Sequence, residues 1–346
     1  MNHIDLGRIT QILTYKRPHG SQGVEYLVRD IFAGYDYTRF QDDLDGDLAL
    51  VITVGKSKTL FSCHLDTVHN SSGYQTVMWD EGIGLFYKEE VNVVPLKGKG
   101  KVPPVLQFGE PLGADDGAGI WLLLNMIDAD VAGTYIFHFG EERGGVGSQG
   151  MAMFHEDWLA EFDRAIAFDR RDTDNIITHQ MGGRCCSDEF GAALASALNA
   201  AQPAFTYQPD DSGVFTDTAN YTDIIGECTN VSCGYDREHS PDETLDMEHL
   251  SMLRQACIEI KWEELPTVRK PGEIDEEELK ASSTSGWKGY WGEKYYEPPE
   301  DLTKMNYCQL EAWVEAQVLL KDTWKITEAL WEALEGRGNL RNYWEA

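Results

Sequence analysis

The segment Leu48–Val54 (LALVITV) carries no charge and only one hydroxyl over seven residues. A run this apolar and this short suits a strand covered on both faces, as in a parallel sheet flanked by helices. The surrounding chain alternates in the same sense. Thr59–Leu65 reads as a second strand, and Ile83–Tyr87 with Val91–Pro95 as a hairpin. Gly117–Ile127 (GAGIWLLLNMI) reads as a helix, Thr134–Phe139 and Ala165–Phe168 as short strands. Gly191–Ala200 is a helix, Asp223–Cys228 a strand and His249–Glu264 a final helix. Alternating strands and helices predict an α/β domain over residues 1–265, with a mixed, mostly parallel sheet between helices.

The pattern changes after Pro266. Glu273–Glu278 is acidic, Ala281–Gly286 is small and polar, and Pro298–Pro299 interrupt the chain. Residues 266–302 are therefore expected to form an exposed connector. Residues 303–346 read as a Trp-rich helical extension. Asn306 and Gln309 stand at capping-box spacing ahead of Leu310, Trp313, Val314 and Leu320, and a further helical pattern ends at Gly336. Six of the ten tryptophans lie beyond residue 280. They are expected to pack the extension, with a partner-docking module as the alternative.

Charge narrows the functional classes. Asp and Glu total 59 against 29 Lys and Arg, a formal charge of −30. Such a surface repels phosphate backbones and anionic lipid, so nucleic-acid and membrane partners are not expected, and cations are. No apolar run reaches the length of a membrane helix and the first thirty residues hold no apolar signal core, so a cytoplasmic location is expected. Seven scattered cysteines without a CxxC pair argue against a disulfide framework and against cysteine-ligated zinc.

Four segments place acids or a histidine at the ends of expected strands: His64-Leu65-Asp66, Gly113-Ala114-Asp115-Asp116-Gly117, Gly140-Glu141-Glu142-Arg143-Gly144 and Phe168-Asp169. Two residues apart on a strand, His64 and Asp66 share a face, so Asp66 can orient a neighbouring ligand. Asp116 is a natural helix cap, which leaves Asp115 without a capping role. Glu141 and Glu142 precede a glycine-rich turn. A fifth position, His239, follows far downstream. Each has an ordinary reading as a cap, an acidic turn or an ion pair. Together they put two imidazoles and three carboxylates, His64, Asp115, Glu142, Asp169 and His239, at the edge where α/β sheets place their sites. Three carboxylates and a hydroxide balance two divalent cations, and zinc accepts both donor types.

The ordered segments HLDT, LGADDGAG, GEERGGVGS, AFD and EHS resemble those of the dinuclear zinc exopeptidase superfamily, which includes zinc aminopeptidases, glutamate carboxypeptidase and tripeptidases. The resemblance covers about residues 1–265 and implies the phosphorylase/hydrolase-like α/β fold. It implies that Asp115 bridges two metals, that His64 and Asp169 complete one and Glu142 with His239 the other. It also implies that Glu141 is the general base and that Asp66 acts behind the ligands. Only 69 residues separate Asp169 from His239, too few for an inserted lid domain. A lid-free aminopeptidase is therefore expected, acting on a peptide or amino-acid amide with two divalent ions, zinc or else cobalt or manganese. Tyr235 and Asp217 are candidate substrate contacts. Three other readings stay open: a carboxypeptidase or N-acyl amino acid deacylase using the same site, with Arg143, Arg170, Arg171, Arg184 or Arg237 taking a carboxylate; a metal-binding scaffold without turnover; and a Cys63 nucleophile, disfavoured because adjacent strand residues face opposite ways. The oligomeric state is left open.

Overall fold

The computed structural model describes residues 6–42, 46–81, 84–88 and 110–271. Its elements follow in the order α1 (Leu6–Thr14), α2 (Gln22–Ile31), β1 (Thr38–Gln41), β2 (Asp47–Val54), β3 (Thr59–His64), β4 (Val77–Asp80), β5 (Leu85–Lys88), α3 (Ala114–Asp128) and β6 (Gly133–His138). There follow α4 (Val146–Phe154), β7 (Arg164–Arg170), β8 (Asn175–Ile177), α5 (Asp188–Ala201), β9 (Gln208–Asp210), β10 (Glu227–Ser232), β11 (Tyr235–Asp236), β12 (Thr244–Asp246) and α6 (Met247–Glu259), with shorter pieces between them. Eight strands form one sheet in the order β9-β8-β10-β7-β3-β6-β2-β1. The inner four, β10, β7, β3 and β6, run parallel, and β2 and β1 extend the sheet antiparallel.

The apolar run behaves as its composition dictates. Leu48 to Ile52 are all buried. Leu50 and Ile52 join Phe61, Tyr135, Phe137 and Phe168 in one core, while Ala49 and Val51 join Leu60, Ile136 and Ala165 in a second. The strand period of two thus feeds a core on each face of the sheet. Helix α3 is apolar nearly all round and is buried from Ala114 to Ile127, as expected of a helix packed on several sides. Helices α1 and α2 were not foreseen. Their apolar stripes, Ile9, Ile12 and Leu13, then Val24, Leu27 and Val28, join the first core.

Three expectations need correcting. Ile83–Tyr87 was paired with Val91–Pro95, but β5 pairs with β4 on one side and β12 on the other, and residues 91–95 lie outside the described residues. The strand set at Asp223–Cys228 begins four residues later, at Glu227. It contains Glu227, Thr229, Asn230 and Ser232, all buried, and their polar atoms find hydrogen-bond partners that hydropathy does not register. The last helix ends at Glu259, not Glu264, and a 3-10 turn follows over Trp262–Glu264. Between Asp169 and His239 the chain runs through β8, α5, β9 and β10 with no inserted lid. From residue 272 onward, most of the connector and all of the helical extension lie outside the described residues. No described helix is long and apolar enough to cross a membrane.

Helix α4 meets the sheet through Gly147. A Cβ there would stand 2.3 Å from the Leu48 carbonyl oxygen and 2.4 Å from that of Phe139, and backbone atoms cannot swing aside. Gly147→Ala is expected to cost about 1–3 kcal/mol of folding stability, as overpacking does. Chemical denaturation checks this, and an unchanged midpoint would contradict the packing described.

Candidate metal centre

The four parallel strands all end at the same edge, and each delivers a polar side chain there. Strand β3 ends on His64 and leads to Asp66, β6 leads into Glu141 and Glu142, and β7 carries Asp169 as its penultimate residue. Strand β10 leads on to Tyr235 and His239, and the start of α3 supplies Asp115. Parallel strands make this convergence automatic, because their C-terminal ends open on one crevice.

Asp115 stands between the two imidazoles. Its Oδ1 lies 3.0 Å from His64 Nε2, and its Oδ2 lies 3.1 Å from His239 Nε2. His64 Nε2 also lies 3.4 Å from Asp169 Oδ1, and His239 Nε2 lies 3.0 Å from Glu142 Oε1. Two triads result, His64–Asp115–Asp169 and His239–Asp115–Glu142, sharing one carboxylate. His64 Nδ1 is 3.1 Å from the Asp66 carbonyl oxygen, so donation from Nδ1 leaves Nε2 as the free ligand atom. Nitrogen and oxygen donors in this pattern fit a pair of divalent cations. Ligand atoms of Asp116 also lie within 4.8 Å of His64 and Asp169. Yet its carboxylate accepts hydrogen bonds from the backbone N–H groups of Gly119 (2.9 Å) and His64 (3.2 Å). It caps α3 and braces β3, the role that its sequence position suggested.

A surrounding set of buried groups fixes these side chains. The Asp66 carboxylate is fully buried and accepts from the backbone N–H groups of Gly140 (2.8 Å), Glu141 (3.1 Å) and Glu142 (3.3 Å), so it pins the two-glutamate turn. Glu243 does the same for the Asp115 turn, accepting from Gly113 N (2.8 Å) and Asp115 N (2.9 Å). Gly113 adopts φ +79°, a left-handed conformation suited to glycine. Arg17 is wholly buried and donates to the carbonyls of Ile12, Leu65 and Gly113, tying α1 to the His64–Asp66 segment and to the Asp115 turn. Thr216 Oγ1 and Tyr235 Oη hold the two oxygens of Asp169 at 2.7 and 3.1 Å.

Burial and mutual repulsion distort the proton affinities. Burial pushes Glu141 up to about 10, Glu142 to about 7 and Asp169 to about 6, with His64 pulling each of them down. Hydrogen bonds to Asp115 and Glu142 push His239 up to about 11. Burial opposes the charged form of His64, but Asp169 and Asp115 overcome it and raise its pKa well above the ordinary value. For Asp115, burial is outweighed by hydrogen bonds from His239 and His64, which hold it well below the usual carboxylate range. Protons thus stand in for the positive charge that the cluster demands.

The five ligand candidates and Glu141 come together, and Asp115, Glu141, Glu142, Asp169, Tyr235 and His239 line one cavity of about 440 Å³. The two candidate substrate contacts are placed differently. Tyr235 is buried and spends its hydroxyl on Asp169. Asp217 is 1% exposed, lies 3.1 Å from His138 Nδ1 and is not among the cavity-lining residues. Cys63 is buried in the core, and burial raises its thiol pKa well above the ordinary value. Sequence reading missed Glu243 and Arg17. A lone acid or arginine carries no local signal, because its role comes from partners as many as 130 residues away.

No protein-family model matches the chain, and no curated protein matches it. Solved structures do. The fold is similar to that of aminopeptidase PepT from Bacillus cereus, with 13% sequence identity and a TM-score of 0.54 over 73% of this chain and 96% of that one. It is similar to that of a tripeptidase from Staphylococcus aureus, with 12% identity and a TM-score of 0.54 over 73% of this chain and 95% of that one. At such identities the likeness is one of fold. The chain shares the fold of these two peptidases, and the acidic and histidine residues of the five quoted segments meet at one sheet edge.

Proposed function

We propose that the chain is a metal-dependent exopeptidase, an aminopeptidase that hydrolyses the first bond of a peptide or an amino-acid amide with two divalent ions in the paired triads. Zinc suits the mixed imidazole and carboxylate donors, and cobalt or manganese would fit the same set. The observation that carries the reading is Asp115, whose two oxygens face two separate imidazoles at 3.0 and 3.1 Å. The fold supports it. When bound, a cation pair of this kind lowers the pKa of a water between the ions and polarises the scissile carbonyl.

Glu141 is the group left to move protons. Its carboxylate accepts no hydrogen bond among the described residues, lines the cavity and comes within 4.0 Å of His64 Nε2. Glu142, beside it, is engaged by His239. Divalent charge in the triads would lower the raised pKa of Glu141, leaving it ionised to take a proton from water and then deliver it to the leaving nitrogen. Asp66 keeps this carboxylate in place through the backbone, so it acts by positioning. The acid-lined cavity also suits the ammonium group of a peptide N-terminus.

Two results are expected. Glu141→Gln should reduce kcat by about 10²- to 10⁴-fold, the range typical of general acid–base groups, while elemental analysis still finds two metal equivalents. Undiminished turnover with metals bound would favour a scaffold role. Binding of zinc should also expel protons near neutral pH, because His239 holds its proton up to about 11 in the metal-free protein and His64 is raised as well. The sign is fixed: a ligand protonated before binding makes affinity rise with pH. Calorimetry in buffers of different ionisation enthalpy reads the released protons, and none released would contradict the ligand roles of the two histidines.

A further inference from the structure

The chain has about twice as many acids as bases, and five arginines lie close in sequence to its acidic motifs. Of these five, three are neutralised. Arg184 Nη1 lies 2.7 Å from Asp188, Arg237 Nε lies 3.3 Å from Asp236, and Arg171 pairs with Glu238 (3.1 Å) and Asp172 (3.7 Å). Arg143 is exposed and does not line the cavity. Arg170 differs from all of them. It lines the cavity, yet no carboxylate oxygen comes within 4.0 Å of its guanidinium among the described residues. Its one hydrogen bond runs from Nη2 to the neutral Ser212 Oγ at 3.1 Å, and its Nε is buried with no partner.

The placement is held from behind. Ser212 Oγ donates to Asp210, and Ser212 N donates to the same carboxylate at 2.9 Å, so the oxygen facing Arg170 is fixed as an acceptor. Gly213, Val214 and Phe215, the next residues of that loop, line the cavity with Arg170. The buried Nε has no partner, and an anion with two coplanar oxygens matches the planar fork of donors that the guanidinium presents to the cavity.

We propose that Arg170 receives the α-carboxylate of the residue leaving the scissile bond, so that the preferred substrates are dipeptides with a free C-terminus. The proposal rests on the exopeptidase reading above. Arg170 lines the same cavity as Asp115, Glu142, Asp169 and His239, so a carboxylate held by its guanidinium belongs to a ligand whose scissile bond lies within that one cavity. The cavity of about 440 Å³ falls in the lower half of the range for small-molecule sites, which suits so short a ligand. Acids on the triad side and a free guanidinium in the same cavity match the two charges of a zwitterionic substrate.

The test compares leucyl-glycine, its C-terminal amide and N-acetyl-leucine on the metal-loaded full chain. The free dipeptide should exceed its amide in kcat/KM by about 10- to 100-fold, chiefly through KM, as expected for a charged hydrogen bond. Arg170→Gln should bring that ratio towards one, and Arg170→Lys should retain part of it, with unchanged circular dichroism as the control for folding. Equal cleavage of acid and amide by the unmodified protein, or a preference that survives Arg170→Gln, would overturn the proposal. Titration calorimetry on the Glu141→Gln protein separates this from the broader reading. If none of the three compounds is hydrolysed, the exopeptidase reading fails. Tighter binding of the acid than of the amide would then still support the Arg170 contact, and equal binding would refute it. Cleavage of N-acetyl-leucine as fast as the dipeptide would support the Arg170 contact and turn the site into that of a deacylase.

Discussion

Carboxylates buried side by side repel one another, and only positive charge or protons can relieve them. This chain sets Asp115, Asp116, Glu141, Glu142 and Asp169 around a single cavity edge, with His64 fully buried among them. The raised proton affinities of Glu141, Glu142 and Asp169 measure that stress. Among the described residues no basic side chain forms an ion pair with Asp115, Glu142 or Asp169 other than the two histidines. Arg17, wholly buried close by, feels the charges of Asp116, Glu243, Asp66 and Asp115 but donates its hydrogen bonds to carbonyl oxygens. Protonated His64 and His239 supply part of the positive charge that the cluster calls for, and the spacing of nitrogen and oxygen around Asp115 is suited to two small cations.

The sheet makes this arrangement possible at low cost. Four parallel strands, three of them largely apolar and the fourth, β10, with its buried polar groups hydrogen-bonded, form a floor whose ends present backbone at one level. Turns then project side chains from that level, and buried carboxylates fix the turns. Asp66 gathers three N–H groups of the Gly140–Glu142 turn, and Glu243 gathers two of the Gly113–Asp115 turn. Neither side chain needs to touch a substrate to matter, because each sets where a reactive carboxylate points. Such surrounding contacts commonly change metal affinity or activity by about 10- to 100-fold when lost.

Much of this was legible in the sequence, and the reasons are local. The run Leu48–Val54 announced a doubly covered strand because every residue in it is apolar enough for either face. His64, Glu142 and Asp169 stand out because each lies at or just beyond the end of an apolar strand, and Asp115 because it is one of two adjacent acids between glycines ahead of an apolar helix. Hidden features depend on distance along the chain. The burial of Glu227 and Asn230 makes β10 look like a loop by hydropathy, and only partners from residues 169 and 187 explain it. The same holds for Glu243. Tyr235 and Asp217 were read as facing substrate because tyrosine and aspartate near a site invite that reading. In the fold Tyr235 lines the cavity and donates to Asp169, and Asp217 lies 3.1 Å from His138 Nδ1.

The central claim is that Asp115 lies between two cations. Anomalous diffraction at the zinc edge, from crystals grown with zinc, tests it most directly. The account predicts two peaks about 3.5–4 Å apart, one beside His64 and Asp169 and the other beside His239 and Glu142, with an Asp115 oxygen on each. A single peak away from Asp115, or none within this cluster, would contradict it.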